Sequence, residues 1–402
     1  MANIRNDQQL PRMKILRILF LLIIISINSF AQKSVRPIPA AQFTDEYLPY
    51  LQGKRIGMLV NQTSIVSNKH LVDTLLSLKQ DIRKIYCPEH GFRGKADAGE
   101  KVNNTIDSAT HLPIVSLYGN NKKPSKKDLD SIDIMVFDVQ DVGVRFYTYI
   151  STLHYVMEAC AENNIPVLIL DRPNPNAHYI DGPILVEEYT SFVGMHPVPV
   201  VYGMTIAEYA RMINGEKWLA NGVQCELIVI RNKSYNHQTS YTLPIKPSPN
   251  LADADAIALY PSLCFFEGTV ISVGRGTYEP FKMIGHPALE GKYTYSFQPV
   301  SIDGMSKEPP YKNQTCYGID LRNYISDSSF NRKQIELKWL IEMYKSYPDT
   351  SKFFNSFFDK LAGSPKLRSQ ILEGLTEEEI RMSWRRDLHK FNRTRRKYLL
   401  YR

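Results

Sequence analysis

The first two-thirds of the chain alternate short apolar runs with segments of helical spacing. Apolar residues dominate positions 55–61, 82–87, 112–117, 133–139, 165–170 and 225–230, and the run at 133–139 is typical of a strand buried on both faces. Residues 70–79 and 149–163 have helical periodicity, and Thr205 with Glu208 forms a capping box that opens another helix. This alternation predicts an α/β fold built on a Rossmann-like parallel sheet.

The pattern changes beyond about residue 280. Strands become shorter and are interrupted by Gly, Pro and Tyr, while helical spacing returns at 334–347, 365–373 and 377–391. We therefore expect a Rossmann-like domain over residues 32–280 and a smaller, mixed α+β C-terminal domain over residues 281–402.

The amino end has the order of a secretory signal peptide. Lys14 and Arg17 precede an apolar run over residues 18–27, and Ser29-Phe30-Ala31 supplies small residues at the cleavage position. The apolar run is shorter than the about 20 residues that a membrane span needs. We expect residues 1–31 to be removed, and the mature protein to be exported, to the periplasm, without a stable membrane span.

The formal net charge of +8 lies at the two ends of the chain. Residues 381–402 carry +8 and residues 1–31 carry +3, so residues 32–380 carry −3. Because the body is slightly acidic, a nucleic acid partner is not expected. The five cysteines are widely spaced without a Cys-x-x-Cys, and they predict neither a disulfide framework nor a zinc site.

Polar and aromatic residues gather where the predicted strands end. Ligands of an open parallel sheet bind outside the carboxyl ends of its strands, so these residues form one candidate site. They are Asn61; Glu89, His90, Arg93, Asp97 and Glu100; Asp138, Gln140, Asp141, Arg145, Tyr147 and Tyr149; and Arg172.

Several common catalytic motifs are absent from the sequence. It has no dinucleotide fingerprint after the first strand, no phosphate-binding P-loop, no Gly-x-Ser-x-Gly elbow, no Ser-x-x-Lys and no His-Glu-x-x-His. We therefore expect no cofactor and no metal ion, and the remaining chemistry is that of carboxylates and tyrosines.

Glu89 stands between a proline and His-Gly, a position that would hold its carboxyl group over the sheet edge. Cleavage of a glycosidic bond needs such a group as an acid. The alternative is a loop glutamate paired with Arg93 or with backbone amides. Asp138 and Asp141 offer a second carboxylate, although Asp138 could equally satisfy loop backbone groups.

The remaining candidates have similar pairs of interpretations. Tyr147 and Tyr149 would stack on a sugar ring or fill the core. Arg145 and Arg172 would clamp a substrate carboxylate or form structural ion pairs. His90 would bind a metal with Asp97 and Glu100, or act as a hydrogen-bonding loop residue. Glu267 and Arg275 bracket glycines near the domain boundary, as a cleft wall or as a structural ion pair.

Long motifs of this sequence resemble those of the NamZ-type exo-β-N-acetylmuramidases. The motifs are 61–63 (Asn-Gln-Thr), 88–91 (Pro-Glu-His-Gly), 96–100 (Ala-Asp-Ala-Gly-Glu), 137–143 (Phe-Asp-Val-Gln-Asp-Val-Gly), 145–149 (Arg-Phe-Tyr-Thr-Tyr), 170–175 (Leu-Asp-Arg-Pro-Asn-Pro), 247–250 (Pro-Ser-Pro-Asn), 266–269 (Phe-Glu-Gly-Thr), 274–277 (Gly-Arg-Gly-Thr) and 398–401 (Tyr-Leu-Leu-Tyr). The resemblance covers the chain from about Leu51 to its end.

The resemblance implies an enzyme that releases terminal N-acetylmuramic acid from the non-reducing ends of peptidoglycan fragments. It also implies a Rossmann-like domain with a smaller auxiliary domain, an active site in the cleft between them and Glu89 as the catalytic residue. Asn250 joins the substrate-binding candidates. The lactyl carboxylate of muramic acid would give Arg145, Arg172 or Arg275 a partner.

Two questions stay open at the level of sequence. The group that assists Glu89 is Asp138, Asp141 or the substrate's own acetamido oxygen, with Tyr147 as an orienting residue. The alternative function is a non-catalytic protein that binds muropeptides in the same cleft.

Overall fold

The computed structural model describes residues 36–89, 91–92, 105–326, 331 and 333–401. The strands are β1 (Ile56–Val60), β2 (Ile65–Val66), β3 (Lys69–His70), β4 (Ile82–Cys87), β5 (Thr105–Ile106), β6 (Pro113–Ser116), β7 (Ile134–Asp138), β8 (Val167–Leu170), β9 (Leu227–Ile230), β10 (Met283–His286), β11 (Tyr295–Phe297) and β12 (Cys316–Asp320). The helices are α1 (Thr44–Leu51), α2 (Leu71–Ser77), α3 (Tyr149–Glu162), α4 (Ile206–Gly215), α5 (Ala254–Leu263), α6 (Lys338–Ser346), α7 (Phe358–Ala362), α8 (Lys366–Leu372) and α9 (Glu377–Arg395).

A seven-stranded sheet organises the N-terminal part of the described chain, in the order β5-β6-β4-β1-β7-β8-β9. All neighbouring strands are parallel except the edge pair β5–β6. Helix α2 lies in the connection from β1 to β4, α3 in that from β7 to β8 and α4 in that from β8 to β9, as is usual for parallel strands. The predicted α/β class with a Rossmann-like sheet is therefore confirmed.

The central strands bury both of their faces because helices cover the sheet on both sides. Successive residues of β7 alternate between two cores: Met135 and Phe137 contact the larger core, which includes α3 and α4, whereas Ile134 and Val136 contact the smaller core with α1 and α2. This double burial explains the nearly continuous apolar run at 133–139.

The C-terminal part of the chain adds a small antiparallel sheet, β10-β12-β11, and the helices α6–α9. Its apolar side chains join the larger of the two cores: Trp339, Phe353 and Trp384 belong to the same cluster as α3 and α4. The basic helix α9 buries Ile380, Trp384 and Phe391, as its apolar residues predict. Among the described residues, no helix has the length and apolar character to cross a bilayer.

Most predicted elements lie within a few residues of the observed ones, and the exceptions have tertiary causes. The helix predicted at 334–347 begins only at Lys338. The backbone N–H of Ile335 donates to Asp181 and that of Glu336 to Ser262, so these residues are held outside the helix by side chains from other elements. The predicted capping box of Thr205 and Glu208 is present.

Two buried carboxylates attach the end of the chain to the sheet. The Tyr401 hydroxyl donates to Oδ2 of Asp171 at 2.6 Å, directly beyond β8. The backbone N–H groups of Leu400 and Tyr401 donate to Oε1 of Glu208 at 2.7 and 3.2 Å. The C-terminal tail is thereby part of the folded body rather than a loose end.

A buried arginine links the loop after β7 to α7. Arg145 has no exposed surface, and its Nη1 donates to the carbonyl oxygens of Pro183 (2.8 Å) and Val198 (2.7 Å), while Nη2 donates to that of Leu361 (2.8 Å). Gly363 ends α7 with φ +80°, and a Cβ at this position would lie 2.8 Å from Nη2 of Arg145. Burial lowers the pKa of Arg145 to about 9.

Replacing Arg145 by Met should lower the free energy of unfolding by at least about 2 kcal/mol, because three carbonyl oxygens each lose a hydrogen bond from the buried guanidinium. Urea unfolding followed by circular dichroism measures the loss. The matched control is Arg322→Met, which removes an exposed arginine paired with Asp320 and should change stability little. Equal losses in the two variants would contradict the structural role of Arg145.

Asp171 should make stability depend on pH. Burial raises its pKa from 3.8 to about 7. Because the folded state holds the proton more tightly than the unfolded chain, this contribution to stability is complete below pH 3.8 and is lost as the pH rises through about 7. Between pH 5 and pH 8, wild type should lose more unfolding free energy than Asp171→Asn. Parallel pH profiles for the two proteins would contradict this assignment.

Candidate active site

A cleft of about 210 Å³ opens beyond the carboxyl ends of β4 and β7. Residues from both the sheet region and the C-terminal part line it. They are Glu89, Tyr118, Phe146, Tyr147, Thr148, Tyr149, Phe192, Val193, Ser248, Asn250, Leu251, Tyr260, Glu267, Arg275, Phe281 and Phe357. The cleft thus brings together six of the residues predicted from sequence: Glu89, Tyr147, Tyr149, Asn250, Glu267 and Arg275.

A larger cavity, of about 360 Å³, lies among residues 175–179, 238–243, 254–258 and 333–334. Its described lining is Pro175, Asn176, His178, Tyr179, Gln238, Thr239, Ser240, Tyr241, Thr242, Leu243, Ala254, Ile257, Ala258, Lys333 and Gln334. No carboxylate is among them, whereas the smaller cleft contains two. Of these two cavities, only the smaller cleft has carboxyl groups that could act as an acid.

Glu89 lies just beyond β4 at the wall of the cleft. Thr148, the residue that precedes α3, donates from Oγ1 to Oε2 of Glu89 at 3.1 Å. The pKa of Tyr118 is raised by burial, and the negative charge of Glu89 raises it further. The Thr148 hydroxyl, at the N-terminal end of α3, and the Tyr118 phenol, in the loop after β6, thus lie near the Glu89 carboxyl group.

Two tyrosines form the side of the cleft next to Glu89. The hydroxyls of Tyr147 and Tyr149 both donate to the carbonyl oxygen of Pro247, at 2.9 and 3.2 Å, and their rings meet edge to face with centroids 4.7 Å apart. Nδ2 of Asn61 donates to the Tyr149 hydroxyl at 2.9 Å. Burial raises the pKa of both phenols, so they stay protonated. Asn61 supports the site through Tyr149 and does not line the cleft.

Asn250 lies in the cleft wall with one polar atom unused. Its side chain is 3% exposed, and Nδ2 donates to the carbonyl oxygen of Met305 at 2.9 Å. Its Oδ1 is buried and has no hydrogen-bond partner among the described residues. A buried acceptor without a donor is costly, so a ligand group that donates to it would be bound favourably.

Glu267 and Arg275, which also line the cleft, form an ion pair. Oε1 of Glu267 accepts from Nε and Nη2 of Arg275, each at 2.6 Å. The guanidinium also lies 5.3 Å from the ring centroid of Phe281. The side chains are 23% and 21% exposed, so the pair faces the cleft rather than the deep interior.

Asp138 and Arg172 are not among the residues that line the cleft in the described part of the chain. The Asp138 side chain is fully buried, and its two oxygens accept from Nε and Nη2 of Arg172 at 2.5 and 2.9 Å. This bidentate pair uses both carboxylate oxygens of Asp138.

Three further candidates are buried beside the cleft and do not line it. Nε2 of Gln140 donates to the carbonyl oxygens of Asp141 and Pro173, both at 2.8 Å. Oδ2 of Asp141 accepts from the Tyr202 hydroxyl and from the backbone N–H of Gly143. Burial raises the pKa of Asp141 to about 6, although these hydrogen bonds oppose the shift. Arg145 binds backbone carbonyls, as described above, rather than a ligand.

His90, Arg93, Asp97 and Glu100 lie outside the described residues. The structure therefore does not place them relative to Glu89. Among the residues that it does describe, no group of three or more His, Cys, Asp or Glu side chains is arranged to hold a metal ion.

The cleft also contains residues that the sequence reasoning did not select, chiefly Tyr118, Thr148, Tyr260 and Phe357. The position of Tyr118 in the sequence could have identified it, because it follows β6 at the same sheet edge as the other candidates. Thr148 stands between the two selected tyrosines. The rings from the C-terminal part carry no such signal, since single aromatic residues are common in cores.

Sequence models of one family match nearly the whole described chain. The N-terminal model of "Exo-beta-N-acetylmuramidase NamZ" matches residues 56–255, and its C-terminal model matches residues 258–401. The peptidoglycan beta-N-acetylmuramidase NamZ of Bacillus subtilis (strain 168) is 39% identical over an alignment of 375 positions, which covers 89% of each chain.

Two solved structures share the fold, both of DUF1343 family proteins from Bacteroides fragilis NCTC 9343. One has a TM-score of 0.83 and 46% identity, covering 92% of this chain and 99% of its own. The other has a TM-score of 0.76 and 27% identity, covering 92% of this chain and 100% of its own.

The Asp138–Arg172 pair should behave as a structural unit. Asp138→Leu and Arg172→Met should each lower the free energy of unfolding by about 3–5 kcal/mol, because each leaves a buried charge without its partner. The double variant should lose clearly less than the sum of the two single losses. Urea unfolding of the four proteins measures this coupling, and additive losses would contradict it.

Proposed function

The chain belongs to the NamZ family of exo-β-N-acetylmuramidases, and we propose that it releases terminal N-acetylmuramic acid from the non-reducing end of peptidoglycan fragments. The observation that carries this proposal is the position of Glu89 in a small cleft walled by aromatic rings. Its volume of about 210 Å³ lies below the about 300–1,000 Å³ typical of pockets for drug-sized ligands. It suits one sugar residue, in agreement with exo action.

We assign to Glu89 the role of general acid. Its carboxyl group would donate a proton to the glycosidic oxygen as the bond between that oxygen and the anomeric carbon breaks. The other carboxylate of the described lining, Glu267, is bound to Arg275 and serves this role less well. Thr148 would orient the Glu89 carboxyl group through its hydrogen bond to Oε2.

The second participant in the reaction is neither Asp138 nor Asp141 in this proposal, because neither lines the cleft. The acetamido oxygen of the substrate then becomes the group that attacks the anomeric carbon as the glycosidic bond breaks. Water next attacks the same carbon of the resulting oxazolinium and gives a proton back to Glu89, which releases N-acetylmuramic acid. Tyr147 would contact the sugar with the small part of its ring that is exposed, and Tyr149, which is 1% exposed, would hold Tyr147 and Pro247 in place. Oδ1 of Asn250 is an acceptor suited to the acetamido N–H or to a sugar hydroxyl.

The same proposal includes the compartment. Residues 1–31 have the order of a signal peptide, so we propose that the enzyme is exported and acts on muropeptides or disaccharides in the periplasm. The basic surface of α9 would then face solvent that contains anionic wall fragments, whose attraction weakens with salt.

Glu89→Gln should lower kcat/KM on a chromogenic β-N-acetylmuramide by at least about 100-fold, because the amide cannot supply the proton. Release of the chromophore measures turnover, and the corresponding β-N-acetylglucosaminide serves as the substrate control. The matched variant Glu308→Gln removes an exposed, ion-paired glutamate and should retain full activity.

Circular dichroism and thermal unfolding should be the same for Glu89→Gln and wild type, so that the loss reports chemistry. Wild-type turnover retained by Glu89→Gln would overturn its assignment as the acid. Absence of any β-N-acetylmuramide turnover by the wild-type enzyme would overturn the proposed activity itself.

A further inference from the structure

N-acetylmuramic acid differs from N-acetylglucosamine by a lactyl ether that carries a carboxylate. An enzyme that selects the first sugar therefore needs a group that recognises this anion. Arginine is suited to the task because its planar fork matches a carboxylate with two parallel hydrogen bonds. The question is which arginine of the chain can reach a sugar in the cleft.

Two of the three arginines considered from sequence are already committed to protein groups. Arg145 donates to three backbone carbonyls with no exposed surface, and Arg172 forms a bidentate pair with Asp138. Arg275, in contrast, lines the same cleft as Glu89 and is 21% exposed.

The surroundings of Arg275 fix its orientation and leave donors available. Glu267 holds Nε and Nη2 through one oxygen, and the ring of Phe281 lies against the guanidinium. The other oxygen of Glu267 accepts from Sγ of Cys264 at 3.5 Å. Nη1 makes no hydrogen bond to a described residue, and a guanidinium has five N–H donors in all. The edge formed by Nη1 and the second N–H of Nη2 can thus receive a carboxylate.

We propose that Arg275 binds the lactyl carboxylate and makes the enzyme select N-acetylmuramic acid over N-acetylglucosamine. The inference rests on the proposed function. Glu89, the proposed acid, lies in residues 56–255, which the N-terminal family model matches. Arg275, the proposed anion-binding residue, lies in residues 258–401, which the C-terminal family model matches. Recognition of the sugar then requires both parts of the chain.

The experiment uses two chromogenic β-N-acetylmuramides, one with a free lactyl carboxylate and one in which it is a primary amide. Wild type should turn over the acid with a kcat/KM about 10- to 100-fold above that of the amide, the range for a hydrogen-bonded charge pair. Arg275→Gln should lower turnover of the acid by the same factor and leave the amide nearly unchanged. The kcat/KM of Arg275→Lys on the acid should lie between that of wild type and that of Arg275→Gln.

Arg322 provides the matched control. It also pairs with a carboxylate, Asp320, and lies 5.5 Å from a ring centroid, that of Tyr295, but it is outside the cleft lining. Arg322→Gln should keep the wild-type preference for the acid. Equal losses on both substrates in Arg275→Gln would make Arg275 a structural residue and overturn the proposal.

The wild-type enzyme supplies a test that does not depend on folding of a variant. Free N-acetylmuramic acid should inhibit about 10- to 100-fold more strongly than its lactyl amide. Equal inhibition, or equal turnover of the acid and amide substrates, would overturn the role of Arg275 while leaving the glycosidase activity in place. Turnover of neither substrate would instead overturn the proposed function.

Discussion

The structure depends on a guanidinium that is buried without a carboxylate partner in the described chain. Arg145 donates to carbonyl oxygens of Pro183, Val198 and Leu361, and so joins two loops beyond the sheet to the end of α7. The carbonyl of Leu361 lies at a helix C-terminus, where unsatisfied oxygens favour a positive charge. Because Arg145 directly precedes residues 146–149 of the cleft, its anchoring also fixes the site.

The polar residues beyond the parallel strands divide into two groups with different tasks. One group satisfies the loops themselves: Asp138 with Arg172, and Asp171 with Tyr401, are buried and use their polar atoms on each other. The other group faces the cleft, as Glu89 does. A sheet edge covered by protein has many buried backbone and side-chain groups that need hydrogen-bond partners, and the first group supplies them. The second group is left to face the cleft.

This division explains what sequence could and could not predict. The sheet and most helices follow from apolar periodicity, and the convergence of candidates follows from the common edge of parallel strands. The sequence does not show which residues between Asp138 and Tyr149 face the cleft. Asp138 pairs with Arg172 and Asp141 with Tyr202, and both contacts join segments that are distant in the sequence. Helix α5 is not among the elements predicted from the sequence, and it contains Pro261, a residue that disfavours helix interiors.

The charge balance of the cleft bears on both proposed roles. An uncompensated guanidinium favours the ionised form of any nearby carboxyl group, and the ionised form cannot act as an acid. Glu267 supplies a negative charge 2.6 Å from Arg275, so the cation is offset within the cleft wall. The guanidinium still has N–H donors for a lactyl carboxylate. The pair of Glu267 and Arg275 therefore balances its own charge in the cleft wall while leaving N–H donors that can bind an anionic group of a ligand.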